Sequence, residues 1–220
     1  MNRFWIILTV VVVALVGLFF MTKKDSSPSN LSIDPKVVSE TDHVRGDKNS
    51  PVTLIEYGDF QCPGCGSYYP IIKSLESKYT GKVKFVFRHF PLIQIHPNAL
   101  AASRAAEAAG NQGKFFEMHD KLYETQDSWG QLTTNQQSLF EGYAKELGLD
   151  MAQFTADYKS NQVADRINSD LELGRKAFSI NSTPTFILDG EKIENPTDAA
   201  GFSKLLDKAI EKATTNNSAN

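Results

Sequence analysis

The chain has 220 residues, of which 23 are basic and 26 acidic, so its formal net charge is -3. That length allows one domain of ordinary size together with one segment outside it. Acidic and basic residues are well mixed, so there is no basic face that would suggest nucleic acid as a partner. The two cysteines exclude a secreted scaffold held by several disulfides and permit at most one bridge within the chain.

An uncharged apolar run opens the chain over residues 4–21, between Arg3 and Lys23. As a helix it would be about 27 Å long at about 1.5 Å per residue, which is close to the thickness of a hydrocarbon core. A cleavable signal peptide is the alternative, but the run does not end in the small residues that a signal peptidase recognises. We therefore predict one transmembrane helix within residues 1–22. Its orientation is not set by charge, because basic residues flank both ends.

A polar segment over residues 23–42 follows the apolar run. It is rich in Ser, Asn, Asp, Lys and Pro, which cannot bury enough apolar surface to become ordered. We predict a flexible linker here, and a disordered tail over residues 214–220 for the same reason. The folded domain is then expected between residues 43 and 213.

The domain opens with the pattern of a β-α-β unit. Residues 52–57 and 83–90 are rich in β-branched and aromatic side chains and are bounded by Pro or Gly, as is typical of buried strands. Residues 67–78 between them have apolar side chains at helical spacing. This order predicts two parallel strands joined by a crossover helix.

A mostly helical region follows over about residues 97–178, broken at several glycines. Its predicted helices are 98–109, 114–125, 134–147, 151–159 and 164–178. Two short strands and an amphipathic helix are predicted after it, at 185–188, 192–194 and 198–212. The sequence therefore predicts an α/β domain with an all-helical insertion.

The two cysteines form a Cys62-Pro63-Gly64-Cys65 motif between the first predicted strand and the first predicted helix. Cys62 therefore falls at or near a helix N-terminus, where free N–H groups and the helix dipole lower a thiol pKa from about 8.5. The i, i+3 spacing puts both sulfurs on one face, so a disulfide can close and reopen. Two other interpretations of the motif are disfavoured. A structural zinc site needs four ligands, and the sequence has no second ligand pair. A purely structural disulfide would close so small a loop that it would add little stability.

Three polar residues in the predicted strands need an explanation. Glu56 interrupts the apolar run of the first strand; it could face solvent, but its neighbours suggest a partly buried acid. Burial would raise its pKa and let it exchange a proton with Cys65. Arg88 and His89 end the second strand, and a capping or surface role is predicted for both.

Four motifs then occur in order along the chain: Glu56, the run Tyr-Gly-Asp-Phe-Gln leading into the cysteine motif, Phe-Arg-His-Phe-Pro-Leu over residues 87–92, and Ser-Thr-Pro-Thr-Phe over 182–186. Residues 96–99 and 113–116 add His-Pro-Asn-Ala and Gly-Lys-Phe-Phe. Together these segments resemble the DsbA-like branch of the thioredoxin superfamily over nearly all of residues 43–213. The resemblance implies a thioredoxin fold with an inserted helical domain.

The resemblance also implies roles for individual residues. Cys62 would be the exposed nucleophile and Cys65 the buried partner that closes or resolves the mixed disulfide. Pro184 would follow a cis peptide bond facing the cysteines, although a proline that opens a strand is ordinarily trans. The backbone of Thr183 would then pair with an extended client peptide. The residues expected to contact the client are Thr183, Pro184, Pro63 and Gly64.

The expected reaction is thiol–disulfide exchange that introduces disulfides into reduced exported client proteins. No metal and no separate cofactor are expected, because the Cys62–Cys65 disulfide is itself the redox group. Gly64 stands where oxidants of this family often carry a histidine, so the motif itself does not indicate the direction of exchange. The oxidising direction is expected from an extracytoplasmic location, where disulfides form and persist. The single predicted helix would hold the chain at the cell membrane there. The resemblance further suggests a membrane quinone-linked reoxidase as partner.

Two alternatives to this function stay open. A reductase or isomerase of the cell envelope would use the same cysteines in another direction. A non-catalytic peptide-binding chaperone module could be built on the same fold.

Overall fold

The computed structural model describes residues 38–218. The predicted transmembrane helix and most of the predicted linker lie outside these residues and stay predictions. Among the helices between residues 38 and 218, none combines the length and the apolar character needed to cross a bilayer.

The strands of the described chain form one five-stranded mixed sheet in the order β1-β3-β2-β4-β5. They are β1 His43–Arg45, β2 Val52–Gly58, β3 Val83–His89, β4 Thr185–Leu188 and β5 Glu191–Lys192. The β2 and β3 strands are parallel, as the β-α-β pattern predicts, and the other three pairs are antiparallel. The β2 strand is central and largely buried, which agrees with its nearly continuous apolar sequence.

The helices are close to their predicted positions, except for a short helix over Gln126–Trp129 that was not predicted. They are α1 Pro63–Lys78, α2 Ala99–Gly110, α3 Phe115–Glu124, α4 Gln126–Trp129, α5 Gln137–Glu146, α6 Met151–Lys159, α7 Asn161–Phe178 and α8 Ala199–Ser218. The α1 helix begins four residues before its predicted start because Pro63 is favourable in a first turn, where a backbone N–H has no partner. The α7 helix also begins early, since the Ser160 hydroxyl accepts a hydrogen bond from the Val163 N–H.

The sheet has an apolar layer on each face, and β2 contributes to both. Val52 and Leu54 belong to a cluster with side chains of α1 and α8, whereas Ile55 and Tyr57 belong to a different cluster. Because side chains alternate along a strand, Glu56 shares the face of Val52 and Leu54. The register of β2 thus directs the Glu56 side chain toward the layer that contains α1.

Two predicted boundaries are wrong. The folded domain begins before residue 43, since Val38 packs against one of the apolar clusters and the buried Asp42 pairs with Arg88 at 2.8 Å. The α8 helix continues to Ser218, although a disordered tail was expected from Thr214 onward. Both segments are polar, so their sequences did not indicate ordered structure. Asp42 is ordered by the distant Arg88, and the Thr214 hydroxyl donates to the Ile210 carbonyl one turn earlier in the helix.

Arg88 and His89 are buried, so the capping or surface role predicted for them is wrong. The Arg88 guanidinium donates to both carboxylate oxygens of Asp42, at 2.9 and 2.8 Å. Nε2 of His89 lies 2.8 Å from Oε1 of Glu107. Buried polar groups require such partners, and these come from distant parts of the chain, where no local pattern reveals them.

We expect Arg88→Met to lower the free energy of unfolding by about 3 kcal/mol, because the buried Asp42 loses its bidentate partner and keeps only Ser39 and the more distant Arg166, at 3.5 Å. Urea unfolding at neutral pH measures the change. Lys176→Met is the control: it removes an exposed ion pair with Glu172 and should leave stability unchanged. Equal effects of the two substitutions would contradict the prediction.

Candidate active site

The two cysteines occupy different positions at the start of α1. Cys62 is the N-cap residue and Cys65 lies in the first turn. Cys62 retains 8% exposure and Cys65 none, and both are free thiols. Cys62 is therefore the more accessible of the two, although it is less exposed than the resemblance implied.

The surroundings of Cys62 lower its pKa from the ordinary value of 9.0 to about 5. The largest cause is a hydrogen bond from the Cys65 thiol; burial acts in the opposite sense, and Thr183 and the backbone N–H groups of Gly64 and Cys65 lower the pKa further. Those N–H groups belong to the first turn of a helix and have no carbonyl partner within it. Cys62 is thus a thiolate at neutral pH, which is the reactive form in disulfide exchange.

Cys65 is shifted in the opposite direction. Burial raises its pKa well above the ordinary value, and the hydrogen bond to Cys62 and the charge of Glu56 raise it further. The Asp59 N–H donates to Cys65 Sγ at 3.4 Å and partly offsets these effects. The pair therefore contains one ionised sulfur and one that keeps its proton.

Glu56 is a buried acid, as its sequence neighbours suggested. Burial, followed by the charges of Glu76 and Cys62, raises its pKa from 4.5 to about 8. It shares with Glu76 and His119 the lining of a small cavity of about 20 Å³, enough for about one water molecule. With this pKa, the carboxyl group can both release and accept a proton near neutral pH.

The loop before β4 faces the cysteines. The Thr183–Pro184 peptide bond is cis, as the resemblance implied. The Thr183 carbonyl oxygen lies 3.4 Å from Cys62 Sγ. The Asn195 side chain donates to the Pro184 carbonyl at 2.8 Å and so holds the loop in place.

Pro63 and Gly64 form the part of the cysteine motif nearest to that loop. Pro63 is exposed and lines the clefts on both sides of the motif. A Cβ atom on Gly64 would lie 3.3 Å from Pro184 Cδ and 3.5 Å from Cys62 Sγ. Any side chain at position 64 would therefore crowd Pro184.

Two glutamines that hold the motif in place were not identified from the sequence. The Gln126 side chain donates to the carbonyls of Phe60 and Cys62, at 2.8 and 3.0 Å. The Gln61 side chain donates to two carbonyls within residues 130–132. Gln61 stands in a motif that carries the resemblance, whereas nothing in the sequence around Gln126 marks it.

A buried ion pair beside the motif was also missed. Asp59 has no exposure, and its Oδ2 lies 2.7 Å from Nδ1 of His96 and accepts from the Leu92 N–H at 2.9 Å. Its other carboxylate oxygen accepts from the Gln61 N–H at 2.8 Å. Asp59 and His96 both stand in motifs that resemble the family, but their pairing across 37 residues has no local signal.

A second cluster of polar side chains lies at the edge of the sheet. Ligand atoms of His43, His89 and Glu107 lie within 4.8 Å of one another, which is compatible with a metal ion. Both Nε2 atoms, however, lie 2.8 Å from the same oxygen of Glu107. Nδ1 of His89 has no partner in the described part of the chain, whereas a metal-binding histidine almost always donates from its second nitrogen. This geometry favours a hydrogen-bonded cluster over a metal site.

Comparison with solved structures identifies the fold. Alpha-DsbA1 from Wolbachia pipientis superposes with a TM-score of 0.72 and 23% identity, over 82% of this chain and 96% of that chain. BdbD from Bacillus subtilis gives a TM-score of 0.65 and 24% identity, over 76% and 92%. At these identities the likeness shows the fold alone, and it confirms the predicted thioredoxin-like α/β domain with inserted helices.

Comparison of sequences identifies the family. A curated relative, Na(+)/H(+) antiporter NhaA 1 from Mycobacterium sp. (strain KMS), is 36% identical over 184 residues, which are 82% of this chain and 28% of that protein. The chain thus spans little more than a quarter of the length of the curated relatives that it matches. The family model described as Thioredoxin matches residues 38–208. The chain therefore belongs to the thioredoxin family, and its fold is that of the DsbA-like members.

Proposed function

We propose that the chain is a thiol–disulfide oxidoreductase that introduces disulfides into client proteins. The observation that carries this proposal is the opposite shift of two adjacent thiols, with the pKa of Cys62 lowered to about 5 and that of Cys65 raised. Cys62 also faces the cis-proline loop, where a client can approach. The redox group is the Cys62–Cys65 disulfide, so the proposal requires no separate cofactor.

The reaction consists of two exchanges. A client thiolate attacks Cys62 Sγ of the oxidised protein, the bond between the two sulfurs breaks, and Cys65 leaves and takes up a proton. A second client thiolate then attacks the client sulfur of the mixed disulfide and displaces Cys62 as a thiolate. The client loses two electrons and the protein gains them. A low pKa makes Cys62 a good leaving group in the second exchange.

Glu56 is proposed to move the proton of Cys65. With a pKa of about 8, the carboxyl group holds a proton at neutral pH and can donate it when Cys65 leaves as a thiolate. In the reverse direction the carboxylate can accept the proton when the disulfide forms again. One residue thereby acts as acid and as base.

The direction of exchange follows from which redox form the fold stabilises. The reduced form gains the free energy of an ionised Cys62, whereas the disulfide has no charge to stabilise. Gly64 contributes only a backbone N–H to this stabilisation, and Cys65 and Thr183 are among the larger contributors. The stabilisation of the reduced form relative to the disulfide form supports an oxidant, in preference to a reductase or isomerase.

The client is proposed to bind beside Cys62 as an extended peptide. A cleft of about 330 Å³ next to the motif is lined in part by Pro63, Ile95 and Leu132. Ile95 is 68% exposed, which is unusual for a large apolar side chain. Apolar client residues can pack there while the client backbone pairs with Thr183.

We place this reaction on the extracytoplasmic side of the cell membrane, with residues 4–21 as the anchor. Disulfides persist in that compartment. Relatives that contain this domain are named as antiporters, which supports a position beside a membrane. The clients would be reduced exported proteins, and a membrane quinone-linked reoxidase would remove the two electrons after each cycle.

A Cys65→Ser substitution should trap the mixed disulfide. The reduced variant is incubated with a peptide dimer joined by one disulfide, and the adduct is detected by its mass on a non-reducing gel. Cys62 attacks the peptide and no second thiol releases it, so we expect an adduct that dithiothreitol removes. Cys62→Ser is the control and should form none. Peptide binding by Cys65→Ser without any adduct would indicate a non-catalytic binding module instead.

The reduced form should be more stable than the disulfide form by about 1–3 kcal/mol at pH 7, after allowance for solvent screening at Cys62. Because the folded pKa of Cys62 lies below its ordinary value of 9.0, this stabilisation is lost as the pH falls through about 5. Urea unfolding of both redox forms between pH 4 and pH 8 measures the difference. A disulfide form that is the more stable at pH 7 would reverse the proposed direction.

Glu56→Gln should stabilise the reduced protein by about 2–4 kcal/mol at pH 7 and by little at pH 4. The folded pKa of Glu56 lies above the ordinary value of 4.5, so the native acid lowers stability increasingly as the pH rises toward 8. The same variant should oxidise clients at least about tenfold more slowly, since Cys65 loses its proton donor. The exposed Glu117→Gln is the control for urea unfolding at the two pH values. A Glu56→Gln effect that does not change with pH would contradict a buried, protonated Glu56.

A further inference from the structure

The loop over residues 90–98, between β3 and α2, is fastened to the segment directly before Cys62. The Leu92 N–H donates to Asp59 at 2.9 Å, and the Asn98 N–H donates to Gln61 at 2.6 Å. Between these two bonds, Nδ1 of His96 lies 2.7 Å from Oδ2 of Asp59. Three contacts thus fix the His96 imidazole beside the cysteine motif.

The partner of His96 is a fully buried carboxylate, which needs hydrogen-bond donors or a positive charge near it. Asp59 receives N–H groups from Gln61 and Leu92, and His96 is the titratable group that contacts it. The hydrogen bond to Asp59 is the largest cause that raises the pKa of His96, burial opposes it, and the charges of Asp59 and Cys62 raise it further. The imidazole is therefore stabilised in its charged form.

His96 also lines the cleft beside the cysteine motif, although Cys62 itself does not. Its side chain is 15% exposed, and the cleft wall includes Gln61 and Pro63, the residues on either side of Cys62. Of the described side chains that line this cleft, His96 is the one that can carry a charge. Nδ1 is occupied by Asp59, and Nε2 makes no hydrogen bond to the described residues.

We propose that His96, held by Asp59, is a positioning residue whose positive charge stabilises the Cys62 thiolate and so increases the oxidising strength of the protein. The inference rests on the exchange reaction proposed above and names a residue that tunes it. A cation close to a partly buried thiolate attracts it far more strongly than it would in water. The disulfide carries no charge, so His96 favours the reduced form alone and raises the reduction potential.

This arrangement makes the oxidising strength depend on pH. The groups that face the imidazole are Asp59, from the segment between β2 and α1, and Cys62 at the start of α1. As the pH rises through the pKa of His96, the imidazole loses its charge and Cys62 loses this part of its stabilisation. The protein is therefore a stronger oxidant below that pKa than above it, as long as Cys62 remains ionised.

A His96→Asn substitution separates charge from hydrogen bonding, because the amide N–H can still donate to Asp59 while the charge is lost. Thiolate absorbance at 240 nm gives the pKa of Cys62, and equilibrium with reduced and oxidised glutathione gives the redox constant. We expect the Cys62 pKa to rise by about half to one unit. The redox constant should move about threefold to tenfold toward the disulfide form, which is about 14–30 mV.

Two further variants are matched controls. His96→Lys restores a positive charge and should recover most of the change. His43→Asn removes a histidine that contacts Glu107 and lies outside this cleft, so it should leave both values unchanged. An unchanged Cys62 pKa in His96→Asn would show that His96 is only structural, and equal changes in His96→Asn and His96→Lys would show that charge is not the cause. Either result overturns the proposal.

The unaltered protein offers an independent measurement, because the interaction is reciprocal. An NMR titration of the His96 ring should give a pKa that is lower in the disulfide form than in the reduced form by about half to one unit, since oxidation removes the thiolate. An identical pKa in both forms overturns the proposal without any substitution. No client is needed in these titrations, so their failure is distinct from absence of the Cys65→Ser adduct, which would refute the exchange reaction itself.

Discussion

The chemistry of the site depends on the interaction between the Cys62 and Cys65 thiols at the start of α1. It is the largest cause that lowers the pKa of Cys62, and it also raises that of Cys65. The two thiols differ because Cys62 stands just before α1 and Cys65 lies within its first turn, with burial complete only for Cys65. A one-residue shift of the helix start would remove the free N–H groups from Cys62 and make the two sulfurs alike.

The rest of the fold brings side chains to this point from several elements. The β2 strand directs Glu56 under α1, and the segment after β2 supplies Asp59. The inserted helical region contributes Gln126, which holds the Cys62 carbonyl, while the loop before β4 brings Thr183 to Cys62 Sγ. The helical insertion therefore does more than enlarge the domain, because one of its side chains fixes the motif itself.

A local sequence pattern indicates secondary structure, but it does not indicate which distant residues come into contact. Apolar periodicity located β2, β3 and most helices, and the residue order around Cys62 predicted its placement at a helix N-terminus. Short β1, with only three residues, offered too little pattern. Contacts between distant residues were missed as well: Arg88 was expected in a capping or surface role, and its buried partner Asp42, 46 residues away, leaves no local signal. The cis peptide bond before Pro184 was predicted from the family resemblance, because the spacing of apolar residues gives no information about it.

Glu56 shows why the site retains an acid that opposes folding. Its burial costs about 3 kcal/mol at pH 7, yet it is close enough to Cys65 for its charge to contribute to the raised pKa of that thiol. The Cys62 thiolate contributes to the raised pKa of Glu56, so disulfide formation lowers the proton affinity of the carboxyl group and reduction restores it. Electron transfer at Cys62 and proton transfer at Glu56 are thereby coupled through one short-range electrostatic interaction, which an apolar residue at position 56 would abolish.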